Sequence, residues 1–135
     1  MNLRHLINPL GTLTAIGFIF ALLNFFVKFI NKNYILKLSK DKRYFAAYYT
    51  KIMKFIVKNH KIAGIITFIL MLSHFFIAYT SHRIKITGII AATIMSMVVI
   101  LGVYGKLNKK VRGKWLVAHR TLAFILILAI TLHIL

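Results

Sequence analysis

The sequence predicts an all-α membrane protein, a four-transmembrane-helix bundle. Three observations predict it. The 135 residues are 60% hydrophobic, whereas soluble domains run nearer to about 45–50% apolar. The apolar residues fall in four continuous runs, each close to the roughly 20 residues that cross about 30 Å of hydrocarbon. Proline occurs once, at Pro9. Backbone polar groups in lipid have to be satisfied within their own segment, so continuous runs of this length are helices and not strands.

The first span covers about residues 10–30 and has no charge before Lys28. The second covers about 60–81 and is charge-free from Ile62 to Ser81. The third, about 86–105, is charge-free from Ile86 to Gly105, and the fourth, about 115–135, contains Arg120 near its start. Met1 to Pro9 does not form a signal peptide, because no small-residue cleavage site follows the apolar run. The first connection, Asn31 to Asn59, mixes eight Lys and Arg with Tyr44, Phe45, Tyr48, Tyr49, Ile52 and Phe55. That mixture predicts an interfacial amphipathic helix in the first loop, leading into the second span. Thr80 to Lys85 is a tight turn, and Lys106 to Lys114 is short and basic. No linker interrupts the chain, which reads as a single membrane domain, 1–135.

Charge sets sidedness and removes reaction classes. There are 19 Lys and Arg against one acid, Asp41, for a net charge of +18. The cations sit between the apolar runs, so the lipid bilayer rather than nucleic acid is the partner they fit. The first and third connections hold most of them. The positive-inside rule therefore places both connections in the cytoplasm and both termini outside. This is the arrangement of an integral protein of a bacterial or archaeal cell membrane. The second and fourth helices then run parallel. With one acid, paired-carboxylate and Ser-His-Asp chemistry is excluded. With no cysteine, disulfides, iron–sulfur clusters and Cys-zinc sites are excluded.

Histidine carries the chemistry. Of the six, His60 and His74 are 14 apart on the second span, and His119 and His133 are 14 apart on the fourth. Fourteen residues fall about 40° short of four turns and rise about 21 Å, so both members of a pair share a face at two depths. In parallel helices His60 is level with His119 near the cytoplasmic side, and His74 with His133 near the outer side. Two imidazoles per layer, with no acid or thiolate beside them, suit an iron held equatorially by its own porphyrin, which needs only two axial ligands. Zinc would want three or four protein ligands. The expectation is therefore two haem b groups, giving two stacked haem sites. His60 and His119 would ligate the cytoplasmic-side iron, and His74 and His133 the outer-side iron. His5 and His82 fall outside the hydrocarbon.

Glycines support the same layers. Gly64 is one turn from His60, and Gly88 and Gly102 on the third helix are 14 apart. A missing side chain lets a flat macrocycle approach the backbone, or simply helps helices to pack. Arg120, next to His119, either pairs with a haem propionate or reaches to headgroups. Trp115, Tyr79 and Tyr104 stand at span ends as an aromatic belt.

The segment His60-Lys61-Ile62-Ala63-Gly64 through His74, and the segment Trp115-Leu116-Val117-Ala118-His119-Arg120 through His133, resemble the haem helices of the ferric reductase-like transmembrane family. They also resemble the second and fourth helices of the di-haem cytochrome b bundle in quinol-oxidising complexes. The resemblance covers roughly residues 59–135. It implies haem ligation by His60, His74, His119 and His133. Ferric reductase-like proteins usually have six helices and often a fused nucleotide-binding domain. This chain has four spans and no Gly-x-Gly-x-x-Gly.

The function expected is transmembrane electron transfer, fed by an acidic cytoplasmic flavoprotein or iron–sulfur protein. An alternative is a cytochrome b membrane-anchor subunit of a respiratory dehydrogenase, exchanging electrons with quinone. A third is a haem-free membrane scaffold or transporter.

Overall fold

A computed structural model describes residues 3–108 and 112–135. Among these residues every regular element is helical. The four long helices are α1 (Ile7–Asn33), α2 (Arg43–Thr80), α3 (Ile86–Leu107) and α4 (Arg112–Ile134). All four are long and apolar enough to cross a membrane. The centre of the expected third connection, residues 109–111, lies outside the described residues.

The largest difference from the sequence reading is the length of α2. It runs unbroken for 38 residues, about 57 Å at the α-helical rise, and begins at Arg43 rather than near residue 60. The connection before it shrinks to residues 34–42, with two short 3-10 turns at Ile35–Lys37 and Lys40–Lys42. The amphipathic stretch of the first loop is thus the first half of α2. The reason is local. No proline or glycine falls between Arg43 and Ala63, and lysine is a good helix former. Charge marks where a span leaves hydrocarbon, and it does not end a helix.

The chain divides into two compact units, Ile16–Ile66 and Met1–Ala15 with Thr67–Leu135. In the first, α1 and α2 form an antiparallel hairpin. Ala46, Tyr49, Thr50, Met53 and Ile56 recur at helical spacing on the more buried side of α2, while Lys51, Lys54 and Lys58 are exposed. The Tyr49 hydroxyl donates to the Val27 carbonyl at 2.9 Å.

In the second unit, α3 packs antiparallel on α4. Ala91, Met95, Leu126 and Ala129 are buried in this unit. Small residues bring helix backbones close where lipid offers no hydrophobic drive. Gly105 shows how close, because a Cβ there would overlap the ring of Trp115. The hydroxyls of Thr14, Thr50, Ser73, Ser96 and Thr131 donate to the carbonyl four residues earlier, which satisfies them inside the helix.

α2 ends in a turn with two tightening bonds. The Arg83 amide donates to the Ala78 carbonyl at 2.9 Å and the His82 amide to the Tyr79 carbonyl at 3.1 Å. This is the Schellman pattern, which wants a left-handed residue, usually glycine, at the position His82 fills. His82 takes that conformation, with φ 53°.

Candidate cofactor site

Each of the four span histidines is held through the same ring nitrogen. His60 Nδ1 lies 2.9 Å from the Ala21 carbonyl on α1, and His74 Nδ1 lies 2.9 Å from the Ile7 carbonyl, also on α1. His119 Nδ1 lies 2.9 Å from the Val98 carbonyl on α3. A carbonyl can only accept, so Nδ1 carries a proton in each of these three rings, and the neutral ring would then offer its lone pair on Nε2. A histidine that ligates a metal through one nitrogen commonly donates the other N–H to a carbonyl, which fixes its tautomer and aim. His133 Nδ1 lies 3.2 Å from the Thr87 hydroxyl on α3, a group able to accept from Nδ1–H or to donate to a bare Nδ1.

Glycine opens the carbonyl in two of these pairs. Gly11 is four residues after Ile7, and Gly102 four after Val98. A helical side chain covers the turn on its N-terminal side, so glycine at the fourth position leaves the earlier carbonyl uncovered for a neighbour's ring. A Cβ on Gly11 would stand 3.1 Å from His74 Cε1, and one on Gly102 would stand 3.4 Å from His119 Cε1. Gly88 takes the same place opposite His133, where a Cβ would come within 2.8 Å of Cε1. The residue four before it, Ile84, precedes the start of α3, and Thr87 supplies the oxygen instead. His60 is the exception, since Phe25 stands four after Ala21. The space at Gly88 and Gly102 is therefore taken by imidazoles, where the sequence reading gave it to a macrocycle or to packing. Gly64 has nothing within 4 Å of a built Cβ.

His74 and His133 face each other in the second unit. Their ring centres are 6.2 Å apart and the planes cross at 79°. An imidazole nitrogen binds a transition metal at about 2.0 Å and its ring centre lies about 1.2 Å beyond, so two rings on opposite sides of one ion would be centred about 6.4 Å apart. Both rings border a cavity of about 450 Å³, within the range of roughly 300–1,000 Å³ usual for small-molecule and cofactor sites. Its walls include Met71, Phe75, Ala92, Met95 and Leu126, and Arg83 and Lys85 also line it. The residues present fit a flat apolar group with two axial ligands and acidic substituents. Among the described residues no cluster of three or more His, Cys, Asp or Glu could hold a bare ion.

His60 belongs to the unit Ile16–Ile66 and His119 to the other. Near His119, the Trp115 ring centre is 6.1 Å away, and its buried Nε1 has no hydrogen-bond partner. A buried donor left unpaired costs about 1–3 kcal/mol, and an acceptor on a bound group would remove that cost. Arg120, His5 and His82 are exposed. Sequence reading did not find Gly11, Thr87, Arg83 or Lys85 as site residues, and it placed Trp115 in the aromatic belt and at the head of the segment that resembles a haem helix, with no role at the site. Gly11 was findable, as a glycine in an apolar span. The carbonyls of Ile7, Ala21 and Val98 leave no trace in side-chain patterns.

Comparison with known protein families, with curated proteins and with solved structures finds no match to this chain.

Proposed function

We propose that this chain is a membrane cytochrome that binds two haem b groups and serves transmembrane electron transfer. The observation that carries the reading is the pair His74 and His133. Their rings are spaced as two ligands of one ion and border an apolar cavity of cofactor size, and His74 is held in the ligating tautomer. His119 and His60 share that tautomer, and the 14-residue repeat assigns them to the second iron. Haem supplies a one-electron couple when bound. The protein's part is position and environment. His74 with His133 would hold one iron and His60 with His119 the other, and an iron held by two histidines would favour electron transfer over binding of dioxygen. Carbonyl partners at Nδ1 would strengthen His60, His74 and His119 as donors to a bound iron and so favour its ferric state.

Lys51, Lys54 and Lys58 are exposed on the first half of α2. By the positive-inside rule this end is cytoplasmic and both termini are outside. An acidic flavoprotein or iron–sulfur protein would be steered there. The test is an optical spectrum with pyridine haemochrome quantitation of protein expressed with ample haem. Two low-spin haems per chain support the reading, and a colourless preparation would point to a haem-free scaffold or transporter.

A further inference from the structure

The cavity beside His74 and His133 has one electropositive end. Arg83 and Lys85, both exposed, line it. The next residue starts α3, whose first turn has no side-chain cap, so its unpaired N–H groups add partial positive charge. The hydrogen-bonded turn at Ala78–Arg83 fixes where this end stands. The unit that contains the cavity, Met1–Ala15 with Thr67–Leu135, has no Asp or Glu at all. No Asp or Glu side chain of the unit can therefore answer these charges.

We infer that Arg83 and Lys85 anchor the carboxylates of the ligand in this cavity, so that its acidic edge lies at the turn between α2 and α3 and its apolar edge lies inward. The inference rests on the haem reading and adds orientation to it. The carboxylates are then the haem propionates. Charge-assisted bonds to Arg are strong and directional, and the apolar walls formed by Met71, Phe75, Met95 and Leu126 would reject the same groups at the inner end. Phospholipid phosphate is the other anion that could meet these two cations, and the test separates it from the propionates.

The experiment measures release of haem from purified holoprotein to excess apomyoglobin, for wild type, Arg83→Gln, Lys85→Gln and the double variant. Arg83→Lys and Lys85→Arg serve as charge-preserving controls. Circular dichroism checks helix content, and resonance Raman reads the propionate bands. The expected result is that one of the two haems leaves about tenfold faster or more in the double variant. Its propionate bands shift, the other haem is unchanged, and the conservative variants behave like wild type. Release rates and propionate bands that ignore the double substitution, with less anionic lipid co-purified, would overturn the proposal and give the cations to headgroups. A wild type that binds no haem would overturn the haem reading and this proposal with it.

Discussion

Replacing Gly88 with alanine should damage the surroundings of His133 far more than replacing Gly102 damages those of His119, although both glycines face an imidazole. The added Cβ at Gly88 would meet His133 at 2.8 Å to Cε1, 3.2 Å to Nδ1 and 3.5 Å to Nε2. Carbon atoms rest at about 3.5–4.0 Å, so the ring or the backbone has to move by about 0.7 Å or more. The ring cannot simply swing aside, because Thr87 on the same turn of α3 fixes its Nδ1. Overpacking of this kind costs about 1–3 kcal/mol, and alanine returns at most about 1 kcal/mol in helix propensity. At Gly102 the closest approach is 3.4 Å to His119 Cε1, which is near ordinary contact, so the propensity gain should offset the strain. Gly11→Ala, at 3.1 Å from His74 Cε1, should fall between. The assay is haem content per chain, with electron paramagnetic resonance of each low-spin signal to report ligand orientation. Gly88→Ala should lose or distort one signal and leave the other, while Gly102→Ala stays close to wild type. Equal damage from the two substitutions, or loss of the same haem from both, would refute the argument that these glycines seat separate imidazoles.

Other outcomes follow from single contacts. Thr87→Val removes the oxygen next to His133 Nδ1 and should raise the midpoint potential of one haem only, since a less basic ligand stabilises ferric iron less; potentiometric titration showing no shift would separate Thr87 from the site. His82→Gly should raise stability by about 1 kcal/mol, because glycine takes the left-handed conformation without the steric cost that His82 bears; a lower melting temperature would show that the side chain has a use at this turn. Reduction by an acidic soluble donor should slow as salt rises, as steering by Lys51, Lys54 and Lys58 requires; stopped-flow rates independent of ionic strength would remove that docking surface.

The four spans and the histidine spacing were legible because both follow from helical period and lipid thickness. The ends of α2 were not. Lys51 to Lys58 read as part of a separate interfacial helix in the first loop, yet nothing between Arg43 and Ala63 breaks a helix, so that helix runs on into the span, and its turns carry Tyr49 to its bond with Val27. Histidine identity was legible, but the tautomer was not. It depends on backbone carbonyls at Ile7, Ala21 and Val98, and every residue type offers the same carbonyl. The glycines at 88 and 102 stood out by their own 14-residue repeat, but what fills the space beside each depends on the register of α3 against α4. Arg83 and Lys85 belong to the tight turn read at Thr80 to Lys85, and nothing in that turn's sequence shows that a cavity lies beside it.

The most direct test of the central claim is the haem remaining in four single variants, His60→Ala, His74→Ala, His119→Ala and His133→Ala, compared by low-temperature optical difference spectra. The account predicts that His74→Ala and His133→Ala each lose the same haem and keep the other, while His60→Ala and His119→Ala show the reverse. Pairing of His74 with His119, or two intact haems in the His133 variant, would contradict it.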